Sequence, residues 1–95
     1  MSRAGSQRRE LVFHGHVQGV GFRMTTEGIA GEHEVTGWVR NEADGTVRCL
    51  VEGHPGAIDG FLAQVHETMS GYIVDTQSLE REATGEFDQF KARYR

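Results

Sequence analysis

The strongest constraint on the fold is the order in which the apolar pattern changes period along the chain. Glu10 to Val17 is rich in β-branched and aromatic residues and reads as a first strand, punctuated by glycine from Gly15 onward. Phe22 to His33 then carries Phe22, Ile29 and Ala30 at helical spacing, with Gly28 and Gly31 weakening the propensity. Val35 to Asn41 and Thr46 to Glu52 read as two strands joined across Glu42-Ala43-Asp44-Gly45, where Asp-Gly gives the backbone the freedom a hairpin needs. His54-Pro55-Gly56 opens a second helix, with Pro55 suited to its first turn and Ala57, Ile58, Phe61, Leu62 and Val65 forming its apolar stripe. Ile73 to Arg81 and Gln89 to Tyr94 are two further extended runs, the last with Phe90, Ala92 and Tyr94 on one face.

The order is therefore β-α-β-β-α-β plus one strand. It predicts an α+β, ferredoxin-like (split βαβ) sandwich: an antiparallel sheet covered on one face by two helices, with an additional C-terminal strand. Ninety-five residues can close around only one modest core. The polar stretch 1–8 carries no pattern that could bury it and is expected to be a flexible tail, leaving 9–95 as the single domain. A net charge of -4 offers no broad attraction to nucleic acid or anionic lipid, so neither is an expected partner. The longest apolar runs, Leu11-Val12-Phe13 and Cys49-Leu50-Val51, fall far short of the roughly 20 residues of a membrane-spanning helix. Met1 to Arg9 has no apolar segment behind it of the kind that marks a secretory signal, and the expected location is cytoplasmic.

The chemistry-bearing segment is Gly15-His16-Val17-Gln18-Gly19-Val20-Gly21-Phe22-Arg23, which joins the first strand to the first helix. Free N–H groups of a glycine-rich loop and of a helix start can converge on one anion, and the helix dipole favours negative charge there. Arg23 adds a planar, permanently charged fork that can grip two phosphate oxygens at once. No Gly-Lys-Ser/Thr follows and GxGxxG spacing is lacking, so a nucleotide site has no support. Asn41, at the end of Gly37-Trp38-Val39-Arg40-Asn41, has two open readings. It is a turn-forming residue at a hairpin end, or an amide whose carbonyl accepts from a water while its NH2 donates to an oxyanion.

Taken together, Gly15-x-Val17-Gln18-Gly19-Val20-x-Phe22-Arg23 and Gly37-Trp38-Val39-x-Asn41-x-x-x-Gly45-x-Val47, closed by Gly53, resemble the acylphosphatase family in order and spacing. The likeness covers nearly the whole chain after the tail. It implies a ferredoxin-like fold and metal-free, cofactor-free hydrolysis of the carboxyl-phosphate bond of small-molecule acyl phosphates. It implies Arg23 and Asn41 as the catalytic pair, with His16, Val17, Gln18, Gly19, Val20, Gly21 and Arg23 binding the phosphoryl group and Asn41 holding the water. The expected product is inorganic phosphate and the expected state a monomer. The alternative function is a non-catalytic phosphate- or acyl-phosphate-binding module, since the same domain type occurs within larger carbamoyl-transfer proteins.

The remaining polar residues carry less. His14 lies on the strand and the family pattern leaves position 16 variable, so neither histidine is assigned acid–base work. Gln18 is expected to brace the loop and Trp38 to pack against neighbouring strands. Glu42 follows Asn41 directly and would oppose a dianion unless it points away or is screened. Cys49 reads as a buried strand thiol. The five histidines show no metal-binding spacing, and no metal is expected.

Overall fold

A computed structural model describes residues 5–94, with β1 at Gln7–Gly15, α1 at Phe22–Ala30, β2 at Thr36–Asn41, β3 at Val47–Gly53, α2 at Pro55–Thr68, β4 at Ile73–Glu82 and β5 at Phe90–Arg93. The strands form one sheet in the order β4-β1-β3-β2-β5. The βαββαβ order with an extra strand is the arrangement the sequence predicts. The pairs β1/β3, β1/β4 and β2/β3 are antiparallel, whereas β5 joins β2 in parallel. That departure from an all-antiparallel sheet is a matter of direction. The chain reverses after β4, crosses to the far edge, and so must run alongside β2.

Two boundaries also differ from expectation. The stretch 1–8 was expected to be loose; its residues 1–4 lie outside the described residues, but Gln7 and Arg8 extend β1, opposite Gly53 and Glu52 of β3. Arg8 is held there because its guanidinium donates to Glu52 at 2.7 Å, a partner 44 positions away that no local pattern announces. The first helix stops at Ala30 instead of His33, with the Gly31 N–H closing on the Glu27 carbonyl and single turns following through Glu32 and His33. The second helix is as read, Pro55 in its first turn and Ile58, Phe61, Leu62 and Val65 buried.

Alternation sorts the sheet into two faces. Leu11 and Phe13 of β1, Val39 of β2 and Val47, Cys49 and Val51 of β3 are buried in one core with Phe22, Ile29 and Ala30 of α1 and with the α2 stripe. Phe13 packs on Phe22 with ring centroids 5.1 Å apart, and Phe61 on Phe90 at 5.4 Å, so each helix is pinned to the sheet by an aromatic pair. Each such buried side chain contributes about 1.5–3 kcal/mol of transfer free energy, which outweighs the glycines that weaken α1.

Neither α1 nor α2 covers the opposite face, yet Glu52 there is only 4% exposed. Its carboxylate accepts from Arg8, from the Thr84 N–H and hydroxyl, and from the Gly85 N–H, so the segment after β4 is tied down over it. Burial alone would raise its pKa, but the hydrogen bonds from Thr84, Gly85 and Arg8 outweigh burial and hold it below the ordinary carboxylate value. No helix among the described residues is long and apolar enough to cross a membrane.

Candidate active site

One end of the sheet collects the residues that the sequence singles out. There β1 passes into the glycine loop, α1 begins, β2 ends at Asn41, and β5, running parallel with Arg93 opposite Arg40, delivers Tyr94. A cavity of about 180 Å³ opens between them, lined by Val17, Gly19, Gly21, Phe22, Arg23, Met24, Asn41 and Tyr94. It is large enough to admit a phosphoryl group together with part of whatever is attached to it.

The loop takes its shape from its glycines. Gly19 and Gly21 have φ of +79° and +76°, and a Cβ added to either would meet nothing within 4 Å, so backbone conformation and not crowding requires glycine there. Gly21 stands at the helix N-cap with no side-chain cap, and its carbonyl receives the Thr25 N–H at 3.0 Å. Among the described residues, the N–H groups from Val17 to Gly21 donate to no backbone or side-chain acceptor. Unused donors converging at a helix start are what an anion needs.

Gln18 fixes the loop to the neighbouring hairpin. Its amide donates to the Glu42 carbonyl at 2.8 Å and the Thr46 carbonyl at 2.9 Å, bridging the phosphate loop to the turn that carries Asn41. The hairpin is closed in turn by Asp44, whose Oδ1 accepts from the Thr46 hydroxyl and N–H; the hydroxyl bond above all holds its pKa below the usual carboxylate range. The side chain expected to brace the loop does so. His16 is exposed, and its backbone N–H donates to the Tyr72 carbonyl at 2.8 Å.

Arg23 is held from two sides. One terminal nitrogen donates to the Arg93 carbonyl at 3.0 Å, and the guanidinium lies 4.1 Å from the Tyr94 ring centroid. A guanidinium has five N–H donors, so this tether orients the fork and leaves most of it for a ligand. Glu27 strengthens the same junction by accepting the Ala92 N–H at 2.6 Å, which joins α1 to β5. Glu42, the possible repellent of a dianion, is paired with Arg40 at 2.7 Å, and Arg40 stacks on Trp38 at 4.6 Å. The opposing charge is therefore matched locally. Trp38 itself is only 9% exposed and lies against both Arg40 and Arg93.

Of the residues proposed from sequence, Val17, Gly19, Gly21, Arg23 and Asn41 meet in the cavity, while His16, Gln18 and Val20 do not line it. Phe22, Met24 and Tyr94 line it without having been singled out as site residues. Tyr94 reaches it only because β5 pairs in parallel with β2, which no local pattern reveals. Cys49 lies fully buried in β3, and burial pushes its thiol pKa strongly up. Among the described residues no three potential metal ligands gather.

Comparison with known proteins gives the family and the fold. The family model described as Acylphosphatase matches residues 9–92. An acylphosphatase of Geobacter sulfurreducens is 43% identical over 88 residues, covering 92% of this chain and 97% of the relative. The crystal structure of acylphosphatase from Bacillus subtilis superposes with a TM-score of 0.83 at 28% identity, covering 93% of this chain and 99% of that one. Full-length HypF in a phosphate- and nucleotide-bound form matches with a TM-score of 0.80 at 30% identity, over 93% of this chain but 12% of the larger protein.

Proposed function

The chain belongs to the acylphosphatase family, and from that premise we propose that Arg23 and the loop from Val17 to Gly21 grip the phosphoryl group of an acyl phosphate while Asn41 orients the attacking water. The observation that carries this reading is that Gly19, Gly21, Arg23 and Asn41 line one cavity together. The water oxygen bonds to phosphorus as the bond from phosphorus to the acyl oxygen breaks. The carboxylate leaves with the electron pair, and a water proton passes to a phosphate oxygen, giving carboxylate and inorganic phosphate. Phosphoryl transfer through a loose transition state depends mainly on positioning and on charge spread over the equatorial oxygens. Fixed N–H groups and one guanidinium meet that demand, and a carboxylate leaves without help from a strong acid. The reading therefore needs no metal and no ionisable base.

The same reading takes the protein as a cytoplasmic monomer with neither nucleic acid nor membrane as partner, in keeping with a net charge of -4. The likeness to a short segment of HypF favours a second reading, a domain that binds acyl phosphate without turning it over. One assay separates the two. Purified protein with chelator present is expected to hydrolyse benzoyl phosphate and acetyl phosphate; phosphate binding without turnover would establish the second reading. Arg23→Ala should lose both phosphate binding and turnover. Asn41→Ala should bind phosphate yet lose about 10³-fold or more in kcat, the scale of a misplaced nucleophile, and full activity in that variant would exclude the water-holding role.

A further inference from the structure

The geometry points to Met24 and Tyr94 as the residues that select the acyl group, making this enzyme favour aryl and bulky apolar acyl phosphates over acetyl phosphate. The proposal rests on the acylphosphatase reading and extends it to the half of the substrate that the phosphate cradle does not touch. Met24 and Tyr94 are each 73% exposed, and both line the cavity that holds Arg23 and Asn41. Single exposed apolar side chains need no explanation, but two at the rim of one small polar site leave apolar surface where the leaving group must emerge.

The two residues are fixed differently. Met24 follows Arg23 in the first turn of α1, so the helix that aims the guanidinium also sets the methionine beside it. Tyr94 is held by its ring against Arg23 at 4.1 Å, which leaves much of the ring free on the solvent side. With the phosphoryl group seated against Gly19, Gly21 and Arg23, the acyl group attached to it extends toward the exposed side of the same cavity, where Met24 and Tyr94 stand. An aromatic or branched acyl group there covers the thioether and the ring, and sulfur and aromatic faces attract one another. An acetyl group is too short to cover either. A shelf of this kind, covering one face of a substrate ring, corresponds to a preference of about tenfold.

The test compares kcat/KM for benzoyl phosphate and acetyl phosphate in wild type, Met24→Ser and Met24→Leu, with competitive inhibition by inorganic phosphate as a measure of the cradle. Met24 is solvent-exposed, so its replacement leaves the fold intact. In Met24→Ser, kcat/KM for benzoyl phosphate should fall about fivefold to tenfold, mainly through KM, with acetyl phosphate and the phosphate inhibition constant within about twofold. Met24→Leu should restore the benzoyl preference. Equal losses on both substrates, no loss on either, or a matching change in phosphate inhibition would overturn the assignment of Met24. A wild-type protein inert toward both substrates would overturn it together with the reading beneath it.

Discussion

Replacing Gln18 by methionine isolates the bridge between the two halves of the site. Methionine keeps the length of the side chain and removes both donors, so the bonds to the Glu42 and Thr46 carbonyls at 2.8 and 2.9 Å are lost. Neither carbonyl is orphaned: Glu42 still accepts from the Gly45 N–H at 3.2 Å and Thr46 from the Glu42 N–H at 2.9 Å. The cost is then two neutral hydrogen bonds at about 1 kcal/mol each, without the penalty of a buried unpaired group, or about 1–2 kcal/mol in all. In a domain of this size that lowers Tm by about 4–16 °C. The kinetic effect should be larger in proportion, because a shift of about 1 Å between the phosphate loop and the turn bearing Asn41 is enough to cost on the order of 10²-fold in rate. Inhibition by inorganic phosphate should stay within about threefold of wild type, since the glycine loop and Arg23 remain. Thermal unfolding, steady-state hydrolysis of benzoyl phosphate and phosphate inhibition together measure all three quantities. A Gln18→Met enzyme with lowered Tm and unchanged kcat would refute the view that this amide sets the register between phosphate and water.

Two further outcomes follow from groups away from the site. Glu52→Gln should destabilise the protein by about 3 kcal/mol, the lower end for breaking a buried ion pair, while activity per folded molecule is unchanged. Because the folded-state pKa of Glu52 is lowered, its contribution is fully present above the unfolded carboxylate value of about 4.3 and is lost as pH falls through the lower folded value. The variant should show a correspondingly shallower acid limb in a denaturant titration, and an unchanged limb would contradict the pairing. Cys49, buried with its thiol pKa raised, should resist thiol reagents in native protein at neutral pH and react once denaturant is added. Prompt native labelling, read by mass, would argue against the packing of β3.

Much of the fold is legible in the sequence because its determinants are local. Pro55 and the stripe from Ala57 to Val65 fix α2, Asp44-Gly45 fixes the hairpin, and alternation fixes the buried face of β3. What escapes is whatever depends on a distant partner. The inclusion of Arg8 in β1 requires Glu52, and the parallel seat of β5 requires the chain to have crossed the sheet. The site divides along the same line. A glycine loop before a helix with an early arginine implies an anion clamp from local physics alone, and its N–H groups are indeed without protein acceptors, except for that of His16, which Tyr72 takes. Asn41 acquires meaning only from its neighbours across the cavity. Met24 and Tyr94 look in sequence like an ordinary helix residue and an ordinary strand-end aromatic.

The tether from Arg23 to the Arg93 carbonyl has a bearing on when the molecule is competent. β5 is only four residues long, and it reaches the sheet along a single edge. Edge segments near a terminus belong to the low end of the local stability scale, but β5 is anchored by Phe90, which packs on Phe61 of α2. An opening of β5 therefore releases the guanidinium, withdraws Tyr94 and uncovers Phe61 of α2 together. Competence is thus coupled to the docking of the last strand, and turnover should be lost at or below the temperature at which the secondary structure melts.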